Sequence, residues 1–147
     1  MQKELTIILG PTGVGKTDYS IELAKEYSSP IINCDSRQIY KEMNVGTASP
    51  SPEQLEAVRH YFIHTHSVTQ YYTAGLYELE AMALLEELFK THDKLVMVGG
   101  SGMYIDALCN GLDDFPSADL QLRDELMRRL REEGVESLRL ELKALDP

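Results

Sequence analysis

Gly10-Pro11-Thr12-Gly13-Val14-Gly15-Lys16-Thr17 decides how this chain is read. The stretch has the form G-x-x-x-x-G-K-[ST], that of a phosphate-binding loop (P-loop). Its flanks agree. Leu5-Thr6-Ile7-Ile8-Leu9 is apolar and rich in β-branched residues, which predicts a strand, and Asp18 to Tyr27 reads as a helix. Strand, glycine loop and helix in that order is the context the motif requires. The glycines let the backbone curl until several N–H groups face one anion. The helix beginning near Gly15 adds the positive end of its dipole to the same spot. Lys16 supplies a mobile positive charge, and the Thr17 hydroxyl can ligate a magnesium ion (Mg2+) that bridges phosphate oxygens. A bare glycine turn would have no use for Lys16-Thr17.

Working outward, Pro30-Ile31-Ile32-Asn33-Cys34 predicts a second strand that runs into Asp35-Ser36-Arg37-Gln38-Ile39-Tyr40. Two strands joined by a helix make a βαβ unit and therefore a parallel sheet. Ligands of such sheets bind beyond the strands' carboxyl ends, so the loop at Gly10 and the acid at Asp35 should share one crevice. Ser51-Pro52 reads as an N-cap followed by the first residue of a short helix to about Arg59. Tyr61-Phe62-Ile63 is the expected third strand. Thr73 caps a long helix whose expected inner stripe is Leu76, Leu79, Met82, Ala83, Leu85, Leu88 and Phe89. Lys94-Leu95-Val96-Met97-Val98 reads as a fourth strand buried on both faces. Gly99-Gly100-Ser101-Gly102 is a second glycine loop leading into a helix from Met103 to Asn110.

From Gly111 the character changes. Ser117 is the expected cap of a helix carrying Leu122, Leu126 and Leu130 on one stripe, with Arg123, Arg128, Arg129 and Arg131 beside or opposite it. Gly134 ends that helix, and a further amphipathic segment carries Val135, Leu138, Leu142 and Leu145. The expected organisation is a P-loop NTPase-like α/β core over residues 1–112, a parallel sheet flanked by helices. Residues 113–147 then begin a helical insert. Four strands are few for a doubly wound sheet, so the chain reads as the first part of a larger protein.

Composition narrows the function. The two cysteines, Cys34 and Cys109, cannot make a disulfide framework and read as small buried hydrophobes. No leader-like or membrane-spanning apolar run occurs, so the expectation is a cytoplasmic protein without membrane contact, and a monomer. The net charge of −10, with 14 basic against 24 acidic residues, leaves any polyanionic partner to a locally basic face such as the arginines of the 117–133 helix. His60, His64 and His66 have metal-like spacing, yet no Cys or carboxylate completes a site. Tyr71-Tyr72 could stack on a base or simply anchor a loop.

A nucleotide hydrolase normally holds magnesium with an acid ending an apolar strand. The fourth strand ends in Val98-Gly99-Gly100 instead, and the acid is Asp35 at the end of the second. An Asp before a Ser is commonly only a helix cap. Here Ser36, Arg37, Gln38 and Tyr40 follow it, a run of hydrogen-bonding groups at a strand end facing the anion site.

These motifs, in this order, resemble the tRNA dimethylallyltransferase family. The residues that carry the likeness are Gly10-Pro11-Thr12 with Gly15-Lys16-Thr17, Asp35 to Tyr40, Gly46-Thr47-Ala48, Gly99 to Tyr104 and Phe115-Pro116-Ser117-Ala118. Ser101 stands where Thr is usual and Met103 where Leu is usual, both keeping the side-chain chemistry. The family runs to roughly twice this length, an extra domain's worth of chain. The resemblance implies transfer of a dimethylallyl group from dimethylallyl diphosphate to the exocyclic amine of an adenosine beside the tRNA anticodon. Pyrophosphate would leave, held by the loop amides, Lys16 and Mg2+. Asp35 would take the amine proton, and the hydroxyls of Thr12 and Ser101 suit donor oxygens or the incoming base. The resemblance further implies tRNA contacts from Asp35, Ser36, Arg37, Gln38, Ser101 and Arg123. Two other readings stand beside it: a small-molecule or nucleoside kinase, and a non-catalytic anion- or RNA-binding fragment.

Overall fold

A computed structural model describes residues 2–112 and 119–146. Residues up to Leu112 make one unit and those from Asp113 a second. In the first, β1 (Glu4–Leu9), β2 (Ile31–Asn33), β3 (His60–Tyr61) and β4 (Lys94–Gly99) form a four-stranded sheet in the order β1-β4-β2-β3. All pairings are parallel, β1 matching β4 from Glu4↔Lys94 to Leu9↔Gly99. The strand latest in sequence is thus inserted between the two earliest. That placement explains the unbroken apolar run of β4. Val96 and Val98 face Ile21 and Ala24 of α1 (Lys16–Tyr27), while Leu95 and Met97 face α3 (Ala74–Leu88) and α4 (Gly102–Asn110). With helices on both faces, every position of the strand after Lys94 is buried.

The helix boundaries follow local chemistry. α1 ends at Ser28, which adopts a left-handed conformation and donates its N–H to the Lys25 and Ala24 carbonyls. α2 (Pro52–Ala57) opens with a reciprocal capping box. Ser51 Oγ accepts from the Gln54 N–H at 3.3 Å, and Gln54 Oε1 accepts from the Ser51 N–H at 2.8 Å. The Thr73 hydroxyl accepts from the Leu76 N–H at the start of α3.

Three expectations are corrected. The inner face of α3 is Ala74, Tyr77, Ala81, Leu85 and Leu88, whereas Leu76, Leu79 and Met82 are exposed, Leu79 by 69%. Tyr77 fixes that face, packing against Phe62 and Tyr104 and donating its hydroxyl to the Asn33 carbonyl. The third strand is His60–Tyr61 and not Tyr61 to Ile63, because Phe62 and His64 take positive φ values of 61° and 50° that end the extended run. Cys34 is buried as expected, but Cys109 is exposed on α4.

In the second unit α5 (Leu120–Glu133) and α6 (Val135–Leu145) meet at Gly134, whose φ of 81° suits glycine. Asp119 caps α5, accepting from the Gln121 and Leu122 N–H groups. Ser117, the expected cap, lies outside the described residues, as do Phe115, Pro116 and Ala118. The arginine edge expected here is partly neutralised. Arg128 pairs with Glu132, and Arg129 with Glu133 and Glu141, leaving Arg123 and Arg131 without an ion pair among the described residues.

Candidate active site

Three strand ends converge. β1 delivers the loop from Gly10, β2 delivers Cys34-Asp35, and β4 delivers Gly99-Gly100-Ser101. The loop turns on Gly13 and Gly15, with φ of 81° and 93°, and Gly15 is the cap residue of α1. Lys16 opens that helix, and its ammonium donates to the Pro11 carbonyl at 2.5 Å. The glycine loop, lysine and helix N-terminus therefore lie together as an anion site requires.

The ends of β2 and β4 are stapled to each other. Ser101 stands at the N-cap position of α4 but does not cap it. Its hydroxyl instead accepts from the Ser36 N–H at 2.7 Å, and its own N–H donates to the Cys34 carbonyl at 3.3 Å. Gly99 permits this approach, since a Cβ there would fall 2.6 Å from the Cys34 carbonyl carbon. Behind the staple, Tyr77 donates to the Asn33 carbonyl at 3.0 Å and stacks on Tyr104, with ring centroids 4.5 Å apart.

Asp35 is half-buried. Its Oδ1 accepts from the N–H groups of Arg37 at 2.8 Å and Gln38 at 3.2 Å, which is the capping role weighed above. Oδ2 has no hydrogen-bond partner among the described residues. The cap thus occupies only one of the two oxygens. The Gln38 amide nitrogen donates to the carbonyls of Thr47 and Ala48, bracing the 43–50 loop over the site.

Two compartments open around these groups. The larger, about 520 Å³, is lined by Gly10, Pro11 and Thr12, by Asp35, Ser36 and Arg37, and by Ser101, Met103 and Tyr104. The smaller, about 120 Å³, is lined by Gly13, Lys16, Thr17, Asn33, Gln38 and His60 among others. Thr12 and Asp35 line both. Val14 and Gly15 line neither; Val14 is exposed, and Gly15 serves as the turn into α1. Arg123 is exposed on α5, in the second unit. Met103, Tyr104, Asn33 and His60 escaped the sequence reading as site residues. Only the last carried a usable signal, a histidine following a helix and preceding an apolar pair.

Burial, and then the Asp35 charge, push the Cys34 thiol up to about 12, so it stays protonated and inert beneath the site. Burial, with Tyr40 and Asp35 nearby, likewise raises the Tyr104 hydroxyl to about 12 and keeps it a donor. No group of three His, Cys, Asp or Glu residues capable of holding a metal occurs among the described residues. Magnesium, however, keeps several waters and takes phosphate oxygens, so one or two protein oxygens suffice. The Thr17 hydroxyl, lining the smaller compartment, fits an ion of that kind. His66 is engaged elsewhere, by Glu80 and by Tyr72, which also bonds Glu80; that pair anchors the loop before α3.

Residues 38–147 match the family model described as IPP transferase. The chain is 48% identical over 145 residues to tRNA dimethylallyltransferase 1 of Bacteroides fragilis, covering 99% of this chain and 48% of that protein. It is 50% identical over 143 residues to tRNA dimethylallyltransferase 2 of Porphyromonas gingivalis, covering 97% and 48% respectively. Among solved structures, the tRNA isopentenylpyrophosphate transferase of Bacillus halodurans superposes with a TM-score of 0.71 at 31% identity, over 100% of this chain and 48% of that one. A eukaryotic dimethylallyltransferase acting on tRNA superposes with a TM-score of 0.72 at 28% identity, over 84% of this chain and 32% of that one. The chain thus spans about half the length of the curated relatives it matches. No described helix is long and apolar enough to cross a membrane.

Proposed function

The chain belongs to the IPP transferase family, and from that premise we propose that it carries the donor-binding and proton-accepting half of a tRNA dimethylallyltransferase. The observation that carries the reading is the pair of compartments meeting at Thr12 and Asp35. The diphosphate of dimethylallyl diphosphate occupies the smaller one, against the loop amides and Lys16. The adenine of an unpaired tRNA nucleotide enters the larger one, whose volume suits a base drawn from its stack. Asp35 stands where the two substrates touch.

In the reaction the allylic carbon–oxygen bond breaks as the adenine exocyclic nitrogen bonds to the same carbon. Pyrophosphate leaves with the electron pair. Charge therefore grows on oxygens facing the loop N–H groups and the Lys16 ammonium, which stabilise it most as the bond breaks. The amine is a weak nucleophile because its lone pair is spread into the ring. Asp35 Oδ2 accepts its proton during attack, while Oδ1 stays on the Arg37 and Gln38 amides and holds the carboxylate in place. The Thr12 hydroxyl, at the junction, donates to the donor's bridging region. When Mg2+ is bound, Thr17 holds it and the ion neutralises diphosphate charge.

Ser36, Arg37 and Ser101 border the base, and the Arg37 guanidinium suits a flanking phosphate. Gln38 acts through the 43–50 loop. Residues 1–112 are the incomplete α/β core and 113–147 begin a helical tRNA-binding insert, where Arg123 contributes a phosphate contact. The setting is cytoplasmic and the protein monomeric. The likeness to named dimethylallyltransferases favours prenyl transfer over the kinase reading.

The test pairs labelled dimethylallyl diphosphate and labelled ATP as donors with unmodified tRNA, using Asp35→Asn as the variant. Prenyl incorporation by the wild type should fall about 100-fold or more in the variant, the usual range for losing a general base, with diphosphate binding retained. Undiminished turnover would remove Asp35 as the proton acceptor. Label transferred from ATP alone would replace the reading with a kinase.

A further inference from the structure

His60 opens β3 and lines the phosphate compartment together with Lys16, Thr17 and Asp35. Its Nδ1 lies 2.8 Å from the Val58 carbonyl oxygen. A carbonyl only accepts, so Nδ1 carries the ring proton and Nε2 presents a lone pair. That Nε2 is buried and has no hydrogen-bond partner among the described residues. Buried polar atoms are ordinarily satisfied, and a conspicuous exception in a ligand compartment marks a group that awaits a partner.

The partner must be a donor. Burial holds the imidazole below its ordinary value, which favours the neutral ring with its lone pair. Diphosphate oxygens are acceptors and would repel that lone pair. One proton of the Lys16 ammonium goes to the Pro11 carbonyl, and the other two are taken by the diphosphate on the reading above. Water polarised by a divalent cation is a strong donor, and the hard Thr17 hydroxyl oxygen in the same compartment, together with diphosphate oxygens, suits such a cation. His64 also has a buried Nε2 without a partner among the described residues; both histidines border the outer groove with Glu56 and Arg59, but His60 also lines the smaller compartment and His64 does not.

The geometry points to His60 as a further substrate-positioning residue, its Nε2 accepting a hydrogen bond from a water in the shell of a diphosphate-bound divalent cation. This rests on the reading of the loop as a diphosphate site.

Two variants separate this role from a merely structural one. His60→Asn places an amide nitrogen near Nδ1, keeps the Val58 bond and removes Nε2. His60→Gln places an amide oxygen near Nε2 and gives up the Val58 bond. The chain is titrated with magnesium pyrophosphate by calorimetry, folding being checked by circular dichroism. His60→Asn should bind about tenfold more weakly and His60→Gln within about threefold of wild type, as expected for an outer-shell partner of a metal. In parallel, ring nitrogen-15 spectra of the wild type, assigned by loss of the signal in His60→Asn, should show a lone-pair Nε2. That resonance should move with magnesium and pyrophosphate together but not with pyrophosphate in chelator. The reverse order of the variants, wild-type binding by His60→Asn, or a protonated Nε2 overturns the inference alone. Absence of pyrophosphate binding by the wild type overturns the diphosphate reading, and this inference with it.

Discussion

At Gly99 the strands β4 and β2 come too close for any side chain. A Cβ would meet the Cys34 carbonyl carbon at 2.6 Å, its oxygen at 2.7 Å and its sulfur at 2.7 Å. Two of those three are backbone atoms of a fully buried residue, which cannot move aside without parting the strands. Gly99→Ala should therefore destabilise the fold by about 1–3 kcal/mol, the usual cost of forcing volume into a packed core. Denaturant midpoints would measure it. The same substitution displaces Asp35, the next residue, so donor binding should weaken alongside stability. Ser101 makes a complementary case. Ser101→Ala leaves the Ser36 N–H without its acceptor, at about 1–3 kcal/mol, while Ser101→Thr keeps the hydroxyl and should be nearly neutral.

Among the elements, the short helix α2 depends most on its ends. It has no buried residue, so packing contributes little, and the Ser51–Gln54 box with Pro52 at the first turn supplies what holds it. The Gln54 amide nitrogen also donates to Asp18 on α1 at 2.6 Å, tying the helix to the phosphate loop's own helix. Ser51→Ala should cost about 1 kcal/mol. Amide exchange should quicken locally over Pro52–Ala57 and the adjoining 43–50 loop. An unchanged exchange pattern there would mean that the Asp18 bond, and not the cap, holds the helix. This boundary was legible from Ser51-Pro52 alone, as the Thr73 cap and the Gly134 break were, because caps and turns are short-range chemistry. The inner face of α3 was not legible. Leu76, Leu79 and Met82 outrank Ala74 and Ala81 in hydrophobicity, yet the buried face is the one that carries Tyr77, which packs against Phe62 and Tyr104 and donates to the Asn33 carbonyl.

Over the whole molecule, alkali should act on the core before acid does. The folded Cys34 thiol is raised from 9.0 to about 12, so between those values the unfolded chain releases a proton that the folded chain retains. Stability is fully present below pH 9 and falls as pH rises through the window, by about 4 kcal/mol in all, levelling off above it. Tyr77 and Tyr104, also raised by burial, push in the same direction from pH 10 upward. The net charge of −10 adds self-repulsion that grows as these groups ionise. Urea midpoints at pH 7, 9 and 10 should decline in that order, and Cys34→Ala should flatten mainly the step from pH 9 to 10. At pH 8 iodoacetamide should label one thiol, the exposed Cys109, and reach Cys34 only on unfolding.

The sequence by itself determined the phosphate loop and its flanking strand and helix, the Ser51 and Thr73 caps, and the family, because each rests on short local motifs; the cap of α5 is Asp119 and not the expected Ser117. It could also place Asp35 at a strand's carboxyl end. Only the tertiary structure decided that β4 enters between β1 and β2, and everything at the site follows from that. The insertion brings Ser101 onto Ser36, sets Tyr104 into the larger compartment, and leaves His60 on the wall of the smaller one. Strand order is chosen by which apolar faces can be covered together, a competition among distant segments that no local periodicity records.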